Sequence, residues 1–171
     1  KIDPNNGDLL YNLSLLYFTL RNFDYALDYI DKAIKVSINN DIYKLLKSEI
    51  YINKLNINEA LYILEDLNNK NRIKKDKNKE IRINILLADA FLKKRKYEEA
   101  EIILLKLIKK YQGLELAYLN LSILYNHKNQ LSKSIQILKK GIDKSPDFMP
   151  FYKNLATFYR NSGQLKLAIC L

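Results

Sequence analysis

The chain has 171 residues, of which 48% are hydrophobic, with four glycines, three prolines, one cysteine and one histidine. That is enough apolar material for a continuous core, while a single cysteine and a single histidine exclude an internal disulfide, a cysteine-rich metal site and a histidine-based one. The formal charge of +10 is unevenly placed: residues 1–69 hold 7 basic and 10 acidic side chains, and residues 70–171 hold 22 basic and 9 acidic ones.

A basic half attracts acidic peptides, nucleic acid or anionic lipid. Only 5 of the 29 cations are Arg, however, the better residue for bidentate phosphate recognition. Lys, Asn, Ile and Tyr also share A/T-rich codons, so genomic composition accounts for the bias without a binding role. No apolar run is long enough for a transmembrane helix, and the opening Lys-Ile-Asp-Pro contains no signal-peptide core.

Residues 1–6 end in a proline-containing segment that matches, one insertion and four periods later, the region of Pro146. They are expected to be the tail of a preceding repeat, and the chain a piece of a longer array. The next stretch sets the pattern. Leu9, Leu10, Leu13, Leu16, Tyr17 and Leu20 are spaced by three and four, the signature of an amphipathic helix. A turn at Arg21-Asn22 follows, then a second helix on Phe23, Ala26, Leu27, Ile30, Ala33 and Ile34. Asn39-Asn40-Asp41 supplies a break and capping groups.

The pattern recurs every 34 residues. The second copy spans 41–74 and carries Ser48, Tyr51, Ala60, Leu64 and Leu67, with Lys47 in place of Leu13. Its aliphatic stem is expected to pack while the amine reaches solvent. The second helix is expected to fade near Asn68-Asn69. Ala60 and Ala100 are 40 residues apart rather than 34, so six residues are inserted within a Lys-rich linker at 70–80. A loop tolerates such an insertion cheaply; it either stays a loop or lengthens the next helix. The third copy spans 81–114, with an inner turn at Lys93–Lys96 and Gly113 as its stop. The fourth spans 115–148, ending at Ser145-Pro146-Asp147. The fifth, 149–171, has Pro150 in its first turn, a turn at Ser162-Gly163 and a helix from Leu165 that is cut short.

Turns this short force antiparallel helix pairs. Small residues at Ser14, Ser48, Ala88, Ser122 and Ala156, and at Ala26, Ala60, Ala100, Ser134 and Ala168, allow close approach. Tyr17, Tyr51, Phe91, Tyr125 and Tyr159 fill the remaining space. One hairpin cannot bury its own apolar face, so the hairpins are expected to stack.

A 34-residue period of small residue, aromatic, Ala, apolar, Ala and closing Pro resembles the tetratricopeptide repeat, over nearly the whole chain. The resemblance implies an all-α fold, a right-handed superhelical solenoid of antiparallel helix-turn-helix repeats. It implies a concave groove lined by the first helices that binds a peptide or protein segment. The family's first position is a bulky aromatic; here it is Leu10, Lys44, Asn84, Tyr118 and Tyr152, which makes repeats two and three the weakest matches.

The resemblance and helix geometry together select groove candidates. One series, Asn12, Leu46, Leu86, Asn120 and Asn154, is three-fifths Asn, whose amide can pair with an extended peptide backbone. It is similar to the Asn ladder in the repeat arm of protein O-glycosyltransferases; Asn is also simply common in this chain. Further candidates are Tyr11, Leu15, Phe18, Thr19, Glu49, Asn53, Arg82, Asp89 and Lys93. Later in the chain come Ile123, Asn126, His127, Lys153, Thr157 and Arg160. Some family members clamp a carboxylate, but Tyr11, Leu15 and Leu86 occupy three of the four clamp positions, with Arg82 at the fourth, so the clamp is absent.

The expected function is a protein-interaction scaffold for a peptide or protein segment, apolar in one portion and acidic in another. Two alternatives stand beside it: a substrate-recognition arm of a larger transferase, of glycosyltransferase or sulfotransferase type, and a basic module on RNA or an anionic surface. Nucleic acid is the weaker expectation, because 70–79 lack aromatics for base stacking. Self-association through exposed repeat ends and a cytoplasmic setting are further expectations. Catalysis finds no foothold: there is no phosphate loop, His127 is a surface residue near a turn, Glu98-Glu99 belong to a helix start, and Cys170 packs on a helix face. No cofactor and no metal are implied.

Overall fold

The structure, a computed structural model, describes residues 6–74, 76–164 and 168. The expected preceding-repeat tail at residues 1–5, the cut final helix apart from Ala168, and the packing of Cys170 lie outside those residues. Among the described residues there are nine helices and no strand: α1 Gly7–Thr19, α2 Phe23–Val36, α3 Asp41–Asn53, α4 Ile57–Lys74, α5 Lys77–Lys93, α6 Tyr97–Lys110, α7 Glu115–His127, α8 Leu131–Lys144 and α9 Met149–Asn161.

Capping starts several of these helices. The side chains of Asn6, Asn22, Asn40 and Asp76 accept hydrogen bonds from the first-turn N–H groups of α1, α2, α3 and α5, satisfying donors the helix itself leaves open. Asn6 thus belongs to the start of α1. Pro150 lies in the first turn of α9 as expected.

The inner turns share one construction. The N–H of Asn22 reaches the carbonyl of Tyr17 at 2.9 Å, and that of Arg21 reaches Phe18 at 3.0 Å. Asn56 and Tyr51, Gln130 and Tyr125, and Gln164 and Tyr159 repeat the longer bond at 2.8–2.9 Å. This is a Schellman closure, which needs one residue in the left-handed region. Arg21, Leu55, Arg95, Asn129 and Gly163 hold that position, with φ between 57° and 77°. Only Gly163 adopts it without a Cβ penalty. Leu55→Gly is therefore expected to stabilise the chain by about 0.5–1 kcal/mol even though it removes an apolar side chain, because Leu55 is 70% exposed and buries little. Urea unfolding of the variant measures this.

The chain divides into two compact units, Lys1–Lys94 and Arg95–Leu171. In the first, each helix from α1 to α5 packs on the next, and α1 with α3 and α3 with α5 also touch. Leu10, Ala26, Ile30, Ala33, Tyr43, Leu46 and Ile50 form a core there. Each large aliphatic side chain so buried contributes about 1.5–3 kcal/mol. The Ser14 hydroxyl donates to the Ala26 carbonyl at 2.8 Å, so the expected close approach of α1 and α2 is sealed by a buried hydrogen bond. In the second unit α6 packs on α7, α7 on α8, and α8 on α9. Tyr118, Leu138, Phe151, Leu155, Phe158 and Tyr159 form a core, and Ser134 donates to the Ser122 carbonyl at 2.7 Å.

Two expectations are corrected. The second helix of repeat two does not fade at Asn68-Asn69; α4 continues to Lys74, and α5 begins at Lys77. The inserted residues lengthen the helices. The reason is an inward row of Ala60, Leu64, Leu67 and Asn71, at helical spacing and all buried. Second, the Lys47 amine does not end in open solvent. It pairs with Asp31 on α2 at 2.6 Å. Burial works against its ammonium, but the hydrogen bond and charge of Asp31 outweigh it and its pKa is raised.

Candidate binding surface

In the first unit the three first helices, α1, α3 and α5, adjoin one another, so side chains at matching repeat positions fall on neighbouring helices. On α1, Asn12 and Thr19 are exposed and Leu15 is 38% exposed. Tyr11 is half-buried, its ring 5.5 Å from that of Tyr43. Phe18 is half-buried against Phe23 at 6.1 Å. The Thr19 hydroxyl is turned back to the Leu16 carbonyl at 2.7 Å.

On α3, Glu49 meets Arg82 of α5 at 3.5 Å, and the Asn53 amide donates to the Glu49 carbonyl at 2.9 Å. Asp89 on α5 is half-buried. Burial pushes its carboxyl up, against the opposing effect of Lys93 at 4.0 Å. The Lys93 ammonium also reaches the Ile52 carbonyl at 3.5 Å, and Lys94 donates to Asn58 Oδ1 at 2.8 Å. Part of the basic turn is therefore held by its own repeat stack.

The Asn-ladder series is corrected by burial. Leu46 is 1% exposed and Leu86 7%; both are core residues and cannot touch a partner. What remains is Asn12 in the first unit, and Asn120 and Asn154 in the second.

In the second unit, Asn120 and Ile123 are half-buried on α7, while Asn126 and His127 are exposed. The His127 ring stacks on Tyr97 at 6.3 Å. On α9, Lys153 and Arg160 are exposed. The amide of Asn154 donates to the Pro150 carbonyl at 2.9 Å, and the Thr157 hydroxyl to the Lys153 carbonyl at 2.8 Å. Lys153 and Asn154 border an open cavity of about 640 Å³ with Met149, Tyr152 and Ala156.

Beyond the Asn40 cap, the sequence pattern did not point to the side-chain contacts around the start of α3. Lys79, from the insertion, pairs with Asp41 at 2.7 Å, with both side chains about three-quarters buried. Residues 38 apart in an aperiodic segment carry no repeat signal that would have paired them. Among the described residues no group of three or more His, Cys, Asp or Glu is placed to hold a metal ion, and no helix is long and apolar enough to cross a membrane.

Antiparallel helix pairs of this period define an all-α helical-repeat solenoid. Solved structures agree on that fold. A tetratricopeptide repeat protein from Parabacteroides merdae is 18% identical, with a TM-score of 0.83 over 95% of this chain and 61% of its own. The thermophilic TPR protein TTC0263 from Thermus thermophilus is 17% identical, with a TM-score of 0.80 over 96% of this chain and 87% of its own. MamA from Desulfovibrio magneticus is 18% identical, with a TM-score of 0.61 over 95% and 89%. The tetratricopeptide-repeat family model matches residues 7–39 and 81–109. The protein is a tetratricopeptide repeat protein. No curated protein matches its sequence.

Proposed function

We propose that the chain is a protein-interaction scaffold that holds a peptide or protein segment on the face of its first helices. The observation that supports this most is the adjacency of α1, α3 and α5. With α3 packed between α1 and α5, the helices offer Leu15, Glu49 and Asp89 at one-repeat intervals, with Asn12, Asn53 and Arg82 beside them. An extended segment reads such a surface by backbone pairing to amides and by pockets and charges for its side chains. On the first unit an apolar segment suits Leu15 and Phe18; on the second unit, taken by itself, the exposed Lys153 and Arg160 of α9 suit an acidic one.

Selection of peptides from a displayed random library on the immobilised chain, followed by calorimetry, tests the proposal. For the selected peptide, Leu15→Glu is expected to weaken binding at least about tenfold, by placing a charge in an apolar contact. Lys153→Glu with Arg160→Glu is expected to weaken an acidic peptide and flatten its salt dependence. Ile102→Glu, at an exposed position of α6, is the control and is expected to change nothing. Loss of binding in the control with full binding in both groove variants would place the partner elsewhere and sink the proposal.

A further inference from the structure

Two independent observations meet at the start of α3. The first is a position. Lys44 stands where the other repeats carry Leu10 and Tyr118, which are 5% and 7% exposed, and Asn84 and Tyr152, which are half-buried. Lys44 is only half-buried, and among the described residues no carboxylate pairs with it. A lysine at a core position is costly unless its ammonium has somewhere polar to go.

The second observation is a polar cavity that Lys44 lines. A cavity of about 300 Å³ is lined by Asn39, Asp41, Lys44, Lys70, Asn71 and Lys79. Its walls are the loop before α3 on one side and the lengthened α4 and α5 on the other. The wall formed by the insertion is built rather than incidental. Asn71 is 5% exposed, its amide donates to the Asp76 carbonyl at 3.1 Å, and its oxygen accepts from the Asp76 N–H at 3.2 Å. That holds the start of α5, and with it Lys79, against α3.

The charges do not balance. Lys79 is matched by Asp41 at 2.7 Å, and Lys70 by Asp66 at 2.5 Å. The lining thus holds three lysines and one carboxylate, Asp41, while Asp66 matches Lys70 from outside it; among the described residues Lys44 is left over and supplies the unmatched positive charge. A dianionic phosphate would be under-compensated there, whereas one carboxylate matches the surplus. Lysine ammoniums suit it as point charges, and the exposed Asn39 amide adds a neutral donor.

We propose that this cavity binds a carboxylate, anchored by Lys44 and flanked by Lys70 and Lys79. The site is separate from the first-helix face and stands whether or not that face takes a peptide. The carboxylate comes either from an acidic side chain of a polypeptide or from a small free acid.

The test is an NMR titration of the isotope-labelled chain at constant ionic strength. The probes are sodium acetate, sodium phosphate, and a capped Gly-Glu-Gly peptide with its Gln counterpart. Acetate is expected to shift the amides of Asn39, Lys44 and Lys79 saturably. Lys44→Met, which keeps the stem, is expected to weaken this at least about tenfold, the loss of one charged hydrogen-bond donor. Lys44→Gln is the second variant should Lys44→Met fail to fold by circular dichroism. The Glu peptide binding more tightly than acetate assigns the site to polypeptide carboxylates; equal binding assigns it to small acids. Non-saturable shifts spread over the surface lysines, undiminished binding in the Lys44 variants, equal binding of the Gln peptide, or tighter binding of phosphate would each overturn the assignment.

Discussion

Gly141→Ala is expected to destabilise the protein by about 2 kcal/mol, although alanine is ordinarily the better helix residue by about 0.5–1 kcal/mol. Gly141 lies within α8, fully facing the ring of Phe151 on α9. A Cβ added there would stand 2.6 Å from Phe151 Cζ and 2.9 Å from both Cε atoms. Phe151 is 0% exposed and has no free space into which to retreat, and overpacking of this kind costs about 1–3 kcal/mol. The reversed sign is what makes the measurement informative. Urea denaturation should show a lower midpoint at unchanged slope. Phe151→Leu should be harmful alone yet recover part of the loss when combined with Gly141→Ala, a coupling that a double-mutant cycle reads directly. A stabilised Gly141→Ala would mean that the α8–α9 seam is not packed in this way.

Asn71→Ala is expected to cost about 2 kcal/mol and to act locally. The substitution removes both hydrogen bonds to the Asp76 backbone. Each is worth about 1 kcal/mol. Because the bonds close the α4–α5 junction, amide hydrogen exchange should rise most in the last turn of α4 and the first turn of α5. The cores around Ile30 and around Leu138 should keep their protection. Uniformly faster exchange across the chain, or no change at the junction, would contradict a local clasp.

The two variants bracket what a one-dimensional reading reaches. Ser14, Ala26, Ile30, Ala33 and their equivalents were legible because a helix turns 3.6 residues per turn and a stacked hairpin repeats its burial at a fixed period. The inner turns were legible for a similar reason, since a two-residue reversal closes in few ways. Gly141 and Phe151 were not paired by that reasoning. Gly141 holds the repeat position of Ala33, Leu67 and Leu107, and Phe151 that of Tyr43, Ile83 and Ala117. At the last seam bulk on one side answers the missing side chain on the other. The period marks both positions as internal, but only contact distances show that their volumes are matched against each other.

The candidate surface was less legible than the fold. Asn12, Leu15, Lys153 and Arg160 are exposed, while Leu46 and Leu86 are buried, because an exposed position and a core position on one helix differ by a fraction of a turn. Asp41, Lys44, Lys70 and Lys79 were each visible as a break, a departure from the pattern or part of a Lys-rich linker, but nothing linked them to one another. They come together only because the insertion folds as helix, and that depends on Asn71 finding a buried place.

By itself the sequence determined the helices, their order, their antiparallel pairing and the small and aromatic residues at their seams. These follow from local geometry repeated at a fixed interval, which pattern alone carries. Only the tertiary structure decided which candidate residues are accessible, how the inserted segment folds, and which charges meet around α3. Those outcomes depend on burial and on contacts between residues tens of positions apart, where no period links the partners and the balance of packing against desolvation chooses.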